Sequence, residues 1–291
     1  MSLFANSSEA ETAGLFDHDS MIRQIAQEAL SLLGGGRAIL LQLAHPLIAA
    51  GVDDHSTFQT DPLTRLLRTL SLMHTVIFGN RDQAEAALQR FHRVHAQIEG
   101  RLPDAAGRFP AGTPYHGSDP HLKLWVAATL LDTSLVAYQQ FVGTLMPDEQ
   151  ERYYADGIVL SQLMGIPQTI FPPNLAAFQR YMEEMLRGDT LAVTDTTRRL
   201  ADDVLIPKNV SLIPAGSARL LRLTTAGLLP PQLRQAYGLT WSWQQQYLLA
   251  LLSRTTRGLR PQMPRWVWQS PLLEGRLARL MLWGMKRAMP E

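Results

Sequence analysis

The chain has no cysteine in 291 residues. That excludes disulfides, thiolate metal sites and cysteine nucleophiles, and it fits a reducing compartment. The expected location is therefore the cytoplasm. No uninterrupted apolar run reaches the roughly 18 residues that a spanning helix needs, and the N-terminus is polar and acidic without the apolar core of a secretion signal. Charged residues are scarce, at 18% against 46% apolar, so material for a core is plentiful. Strand-like alternation, internal repeats and domain linkers are also lacking. One all-α domain over residues 1–291 is the expectation. There is no His-Glu-x-x-His, no Gly-x-Ser-x-Gly and no dinucleotide fingerprint. Gly34-Gly35-Gly36-Arg37 has neither the preceding strand nor the Gly-Lys-Ser/Thr ending of a phosphate-binding loop.

A net charge of +1 conceals a split. Residues 219–291 carry eleven Lys and Arg against Glu274 and Glu291, while residues 1–218 carry sixteen basic and twenty-four acidic residues. A basic end suits nucleic acid, an anionic membrane surface, or the chain's own acidic part. The last is the expectation, with no nucleic-acid partner. Leu272 to Met289 reads as an amphipathic helix, with Leu273, Leu277, Leu280, Met281 and Trp283 towards one side. It is expected to pack as a lid on the acidic portion, with peripheral membrane contact as the alternative.

What is present is mostly helical periodicity. Met21–Leu33 is apolar at helical spacing and should stop at the three glycines. Residues 37–50 are apolar nearly all round, with Pro46 expected to kink or end the helix. Asp61 and Pro62 open a helix to Phe78, and a second follows over residues 81–100 as its antiparallel neighbour. Residues 102–118 form a loop rich in Gly and Pro, flanked by short β segments. Further helices fit 119–143, 147–164, 174–187, 190–205, 216–228, 240–258 and 271–288.

All eight histidines precede residue 122. His92 and His95 sit three apart on one helix. His95 lies between Phe91 and Ile98 on an apolar stripe that includes Ala84, Ala87, Leu88 and Val94, so its imidazole is expected to point inward and need a partner. Without cysteine, imidazole is the strongest transition-metal ligand available. A core histidine satisfied by hydrogen bonds explains such a position about as well. Arg65, Arg68, Thr69 and Leu72 share another helical row. Two guanidiniums one turn apart suit a carboxylate or phosphate ligand, and a solvent-facing stripe is the plainer alternative. His45 and His55 flank the segment kinked by Pro46. Three ligands are needed for a non-haem site, with His92 and His95 supplying two and His45, His55 or Glu99 a third.

Several blocks recur in a fixed order: Gly36-Arg-Ala-Ile-Leu-Leu-Gln-Leu-Ala-His-Pro46, Ala50-Gly-Val-Asp-Asp-His-Ser-Thr-Phe58, Asp61-Pro-Leu-Thr-Arg-Leu-Leu-Arg-Thr69, Val94-His-Ala-Gln-Ile-Glu-Gly100 and Asp119-Pro-His-Leu-Lys-Leu-Trp-Val126. By these the chain resembles the catalytic-domain family of MpaB and rubber oxygenase (latex clearing protein) over about residues 20 to 245, leaving a basic helical extension over about 246–291. The resemblance implies an all-α fold with a haem between helices, packed in the manner of globins. It also implies a b-type haem and its iron, dioxygen as co-substrate, and an apolar, isoprenoid-like small molecule as substrate. His95 then matches the haem-iron ligand, and Arg65, Arg68 and Thr69 match a distal motif in which Arg68 replaces a lysine. His45 joins the cofactor-binding set. The chain departs from its relatives at Ala127, where many have histidine. It also has no clear counterpart of the carboxylate base, Asp53 and Asp54 being the nearest. A non-haem metalloenzyme, or a haem- or lipid-binding protein without catalysis, stay open as alternatives.

Overall fold

The second helix of the chain, Gly35–Leu43, packs against the helices Pro46–His55, Pro120–Phe141, Asp195–Leu205 and Ser217–Leu228, and its burial follows from its sequence: Leu40, Leu41, Leu43 and Ala38 are all within the core. The computed structural model describes residues 14–55, 62–205, 216–264 and 268–269, with backbone alone over 62–68. Among the described residues there are twelve α-helices and one two-stranded sheet, so the fold is all-α. The expected helix from Leu272 to Met289 lies outside the described residues.

In chain order, α1 is Met21–Ala26, α2 Gly35–Leu43, α3 Pro46–His55, α4 Pro62–Phe78 and α5 Arg81–His95. The hairpin of β1 (Glu99–Arg101) and β2 (Pro114–His116) follows, antiparallel with Gly100 opposite Tyr115. Then come α6 Pro120–Phe141, α7 Pro147–Leu163, α8 Leu175–Arg187, α9 Asp195–Leu205, α10 Ser217–Leu228, α11 Pro231–Ala236 and α12 Trp243–Leu259. The starts agree with their chemistry. Asp119 caps α6 by accepting from the His121 and Leu122 amides ahead of Pro120, and Asn80 and Gln83 form a reciprocal box at the start of α5.

Two expectations fail here for physical reasons. Met21–Leu33 is not one helix. It breaks at Gln27–Glu28 and resumes as a 3-10 segment over Ala29–Gly34. Glu28 is extended, its backbone bridges Gln269, and its 1%-exposed carboxylate pairs with Arg260. A buried ion pair therefore overrides local helix periodicity. The three glycines are also not a stop signal. Gly35 opens α2, and a Cβ at Gly36 would overlap the Thr225 side chain of α10, while one at Gly34 would lie 2.7 Å from Thr133 Cγ2 of α6. Gly34 and Gly36 are glycines so that helices can approach one another closely. The bend at Pro46 appears as expected, with 103° between the two helical stretches.

Arg37 fastens α2 in place. Its Nε donates to the Leu228 carbonyl at 2.9 Å, and its terminal nitrogens to Thr133 Oγ1 and Asp132 Oδ2, both at 2.6 Å. At the other end of α2, Trp125 Nε1 donates to the Leu41 carbonyl at 3.0 Å and the Tyr237 hydroxyl to the Leu40 carbonyl at 2.6 Å. The last carbonyls of a helix lack intrahelical donors, so Trp125 supplies one to Leu41, while the Leu40 carbonyl, already accepting from the Ala44 amide at 3.0 Å, takes Tyr237 as a second donor. The α4–α5 pair, by contrast, packs chiefly on itself, with α4 also touching α1 and α9.

Removing the Arg37 guanidinium strands the Asp132 carboxylate and the Leu228 carbonyl. Arg37→Ala is expected to lower the unfolding free energy in urea by about 3–5 kcal/mol, the range for breaking a buried pair on one side. A loss below about 1 kcal/mol, the scale of an exposed pair, would contradict this role.

Candidate functional site

His95 is the last residue of α5 and is half-buried. Its Nδ1 lies 2.9 Å from the carbonyl oxygen of Phe91, one turn earlier, and the Phe91 ring centroid lies 3.9 Å from the imidazole. A carbonyl only accepts, so Nδ1 is the donor and carries the proton. In the neutral ring Nε2 is then the basic nitrogen. This is how iron- and zinc-binding histidines are oriented by a partner on the far ring nitrogen. His92 is fixed differently. Its Nε2 is 3.2 Å from the Leu163 carbonyl at the end of α7, and its ring lies against Gly165, where φ is +81° and a Cβ would come within 3.1 Å of the His92 Cε1. Lys123 of α6 completes this corner, with Nζ 3.3 Å from the Met164 carbonyl and 5.5 Å from the Phe91 ring centroid; burial holds its pKa below the usual lysine value.

The stripe expected along α5 holds only in part. Ala84 and Leu88 are buried, Phe91, His95 and Ile98 are half-buried, and Val94 is 50% exposed. The helix also ends at His95, and Glu99 belongs to β1, so it is not the i+7 helical ligand considered from sequence. Among the described residues no three His, Asp or Glu side chains are grouped as metal ligands. A haem needs just one protein donor on its iron, the remaining four equatorial nitrogens being the porphyrin's own.

His45 occupies the bend between α2 and α3 and is 5% exposed. Its ring lies 5.2 Å from that of Phe109, on the segment between the two strands, and its Nδ1 has no hydrogen-bond partner. Burial pushes its pKa down to about 4, with Arg108 adding to the shift and Asp119 opposing it. A buried, unsatisfied, neutral imidazole is costly without something to face. His55, at the end of α3, is engaged instead: its Nε2 lies 2.7 Å from the Glu99 carbonyl. Of the two aspartates nearest the expected base, Asp54 accepts from the Tyr115 hydroxyl and Asp53 pairs with Arg199 at 3.0 Å. Desolvation and Asp54 together raise the Tyr115 pKa, so the phenol stays the proton donor. Ala127 is 9% exposed on α6.

Arg65, Arg68 and Thr69 lie on α4. The side chains of Arg65 and Arg68 are outside the described residues; Thr69 is exposed, and Leu72 of the same helical row packs partly buried against the main core. Sequence reasoning missed His74, whose Nε2 is buried without a partner and whose pKa is lowered by burial and by Arg23. A lone histidine on an amphipathic helix gives no signal of this kind. It also missed the Tyr115–Asp54 contact, which spans 61 residues.

His95, with its Nδ1 on the Phe91 carbonyl and an aromatic ring beside it, and His45, buried with Nδ1 unpartnered, are the two imidazoles of the candidate site. Residues 22–261 match the family described as ER-bound oxygenase mpaB/B'/rubber oxygenase, catalytic domain, and the chain belongs to that family. Uncharacterized proteins of Mycobacterium bovis and Mycobacterium tuberculosis are each 26% identical to it over 231 residues, covering 75% of this chain and 86% of the relative. No solved structure matches the chain.

The His45 pKa makes a stability prediction. An unfolded histidine titrates near 6.5 and the folded one near 4, so the unfolded chain binds the extra proton in between. Stability is intact above the unfolded pKa and is lost as pH falls from about 6.5 to about 4, by up to about 3 kcal/mol from this residue. His45→Phe keeps the ring stack on Phe109 without the titration. Urea denaturation at pH 7 and pH 4.5 should show a smaller acid loss for this variant than for the parent; equal losses would remove His45 from the account.

Proposed function

We propose that the protein is a haem b-dependent oxygenase that uses dioxygen to oxidise an apolar, isoprenoid-class small molecule. The observation that carries this reading is the His95 geometry: a half-buried imidazole at the end of α5 whose Nδ1 lies 2.9 Å from the Phe91 carbonyl, which orients the ring. The residues fit the group in charge and chemistry. His95 would hold the iron, Phe91 would flank the ligand ring, and Arg65 would neutralise a propionate carboxylate. The haem, when bound, supplies the binding and activation of dioxygen.

The chain's own residues do the rest. Arg68 stands where relatives carry lysine; its guanidinium is always charged and presents a planar fork, so it would orient an oxygen ligand by two donors where a lysine offers a point charge. The Thr69 hydroxyl on the next position can donate to the same oxygen. His45, kept neutral by burial, offers Nδ1 as an uncharged hydrogen-bond partner for a bound group.

A second reading has its own support. With Asp54 held by Tyr115, Asp53 by Arg199, and Ala127 in place of a histidine, no carboxylate base is ready for hydrogen abstraction in the way rubber oxygenase requires. A protein that binds haem and an apolar ligand without turning it over accommodates these departures.

The absorption spectrum tests both. The purified protein, reconstituted with haem b, is expected to bind one haem per chain and show a Soret band. His95→Ala should abolish stoichiometric haem while the far-UV circular dichroism stays helical; full haem retention with an unchanged spectrum would falsify the ligand assignment. Consumption of dioxygen with an apolar substrate then separates the oxygenase from the binding protein.

Arg65 and Arg68 are assigned different tasks. Arg68→Ala should change cyanide or dioxygen affinity more than haem content, about tenfold or more for the loss of one charged donor, and Arg65→Ala should do the reverse. If both variants bind haem and external ligands like the parent, the assignment fails.

A further inference from the structure

The helix α12 carries its largest apolar side chains on the wrong side for a soluble helix. Its inner face is modest: Leu249 (3% exposed) and Ser253 are buried, Leu252 is half-buried, and they pack against Ala137 and Phe141 of α6, with Gln140 donating to Ser253 Oγ at 2.6 Å. Its outer face holds Trp243 at 76% exposure, Tyr247 at 63%, Leu248 at 50%, Leu251 at 49% and Leu259 at 43%. Trp243, Tyr247 and Leu251 are spaced i, i+4, i+8, so they form one row about 12 Å long. Met263, just past the helix, is 40% exposed and extends the apolar surface. Single exposed apolar residues are ordinary, but a contiguous row of this kind marks a binding surface.

The charges within its own stretch of chain have one sign. Between residues 216 and 264 there are six arginines and no aspartate or glutamate. Arg254 is exposed and lies within about 20° of Trp243 around the helix at 100° per residue. Arg257 is exposed one turn further, with its guanidinium 2.9 Å from Thr144 Oγ1. The like charges bear on what covers the face. The chain's last segment, residues 270–291, carries Arg276, Arg279, Lys286 and Arg287 against two acids, so it would bring more positive charge to an arginine-bearing face. A second copy of the same face would do the same. An anionic lipid surface instead complements it: Trp and Tyr favour the boundary between headgroups and acyl chains, leucines reach below it, and arginines meet the phosphates and carboxylates.

We propose that the outer face of α12 is a peripheral docking surface for an anionic bilayer, with Trp243, Tyr247, Leu248 and Leu251 inserted to the depth of the headgroup boundary and Arg254 and Arg257 paired with lipid anions. No single described helix is long and apolar enough to cross a membrane, so attachment by this face is interfacial. It stands whether or not the protein is an oxygenase.

Co-sedimentation of the full chain tests it, with vesicles of phosphatidylcholine alone and of equimolar phosphatidylcholine and phosphatidylserine. Binding is expected to the mixed vesicles, to weaken with added salt, and to be much weaker to phosphatidylcholine alone. The combined variant Trp243→Ser, Tyr247→Ser and Leu251→Ser should lose at least about tenfold in partitioning, with an unchanged thermal unfolding temperature because these side chains already face solvent. Should that variant misfold, Trp243→Gln alone serves, with about a fivefold loss expected for one interfacial anchor. Arg254→Glu should lose at least about tenfold on the mixed vesicles and reduce the dependence on salt. The proposal is overturned if the parent sediments with neither vesicle. It is equally overturned if the folded serine variant, or Trp243→Gln in its place, binds as the parent does. A lipid-free dimer dissolved by the same substitutions would instead assign the face to a second copy of the chain.

Discussion

One buried guanidinium organises this molecule. Arg37 reaches three partners from a side chain 6% exposed, and those partners lie on two different helices, α6 and α10. A fork with five donors can meet a carboxylate, a hydroxyl and a carbonyl together, which an ammonium on a flexible stem cannot do with the same geometry. The glycines just before it make this arrangement attainable, since Gly34 lets α6, and Gly36 lets α10, come into contact with the start of α2 and the 3-10 turn ahead of it. The far end of α2 is then closed by Trp125 and Tyr237. With α2 fixed at both ends, the bend at Pro46 has a fixed direction, and His45 is placed in the interior next to Phe109.

Five of the eight histidines divide into two groups by what their nitrogens meet. His55, His92 and His95 each have a ring nitrogen on a backbone carbonyl. Such partners set the tautomer and leave the opposite nitrogen basic, and they also sew α3 to β1, α5 to the α7 terminus, and α5 to itself. His45 and His74 each bury a nitrogen with no partner. Their lowered pKa values come chiefly from desolvation and hold them uncharged at neutral pH. The first group is structural or ligand-presenting by construction.

Helix locations were legible because the signals were local. Asp119-Pro120, Pro147 and the run from Pro62 announce starts that the structure reproduces, and the Pro46 bend follows from a missing amide. The break at Glu28 was not legible, since its cause is Arg260, some 232 residues away. Nor was the role of Gly34–Gly36, because glycine for a turn and glycine for close packing look alike until the neighbouring helix is known. His45 and His95 were picked out by residue type and by spacing on an apolar stripe. Their hydrogen bonding was beyond reach, since carbonyl partners leave no mark on composition. Short α11 was missed because six residues opened by two prolines carry too little periodicity to register.

The α4–α5 pair meets the remainder of the fold along narrow margins, whereas α2, α6 and α10 interlock. Regions with few buried contacts open with less free energy than the whole molecule needs to unfold. Under the proposed role of His95, lifetime and occupancy would reside in different parts of the chain. Substitutions around Arg37 would change how long the molecule survives, and substitutions along Phe91–His95 what it holds. Selection can alter the second without endangering the first, which lets one framework be retained while its cargo diverges.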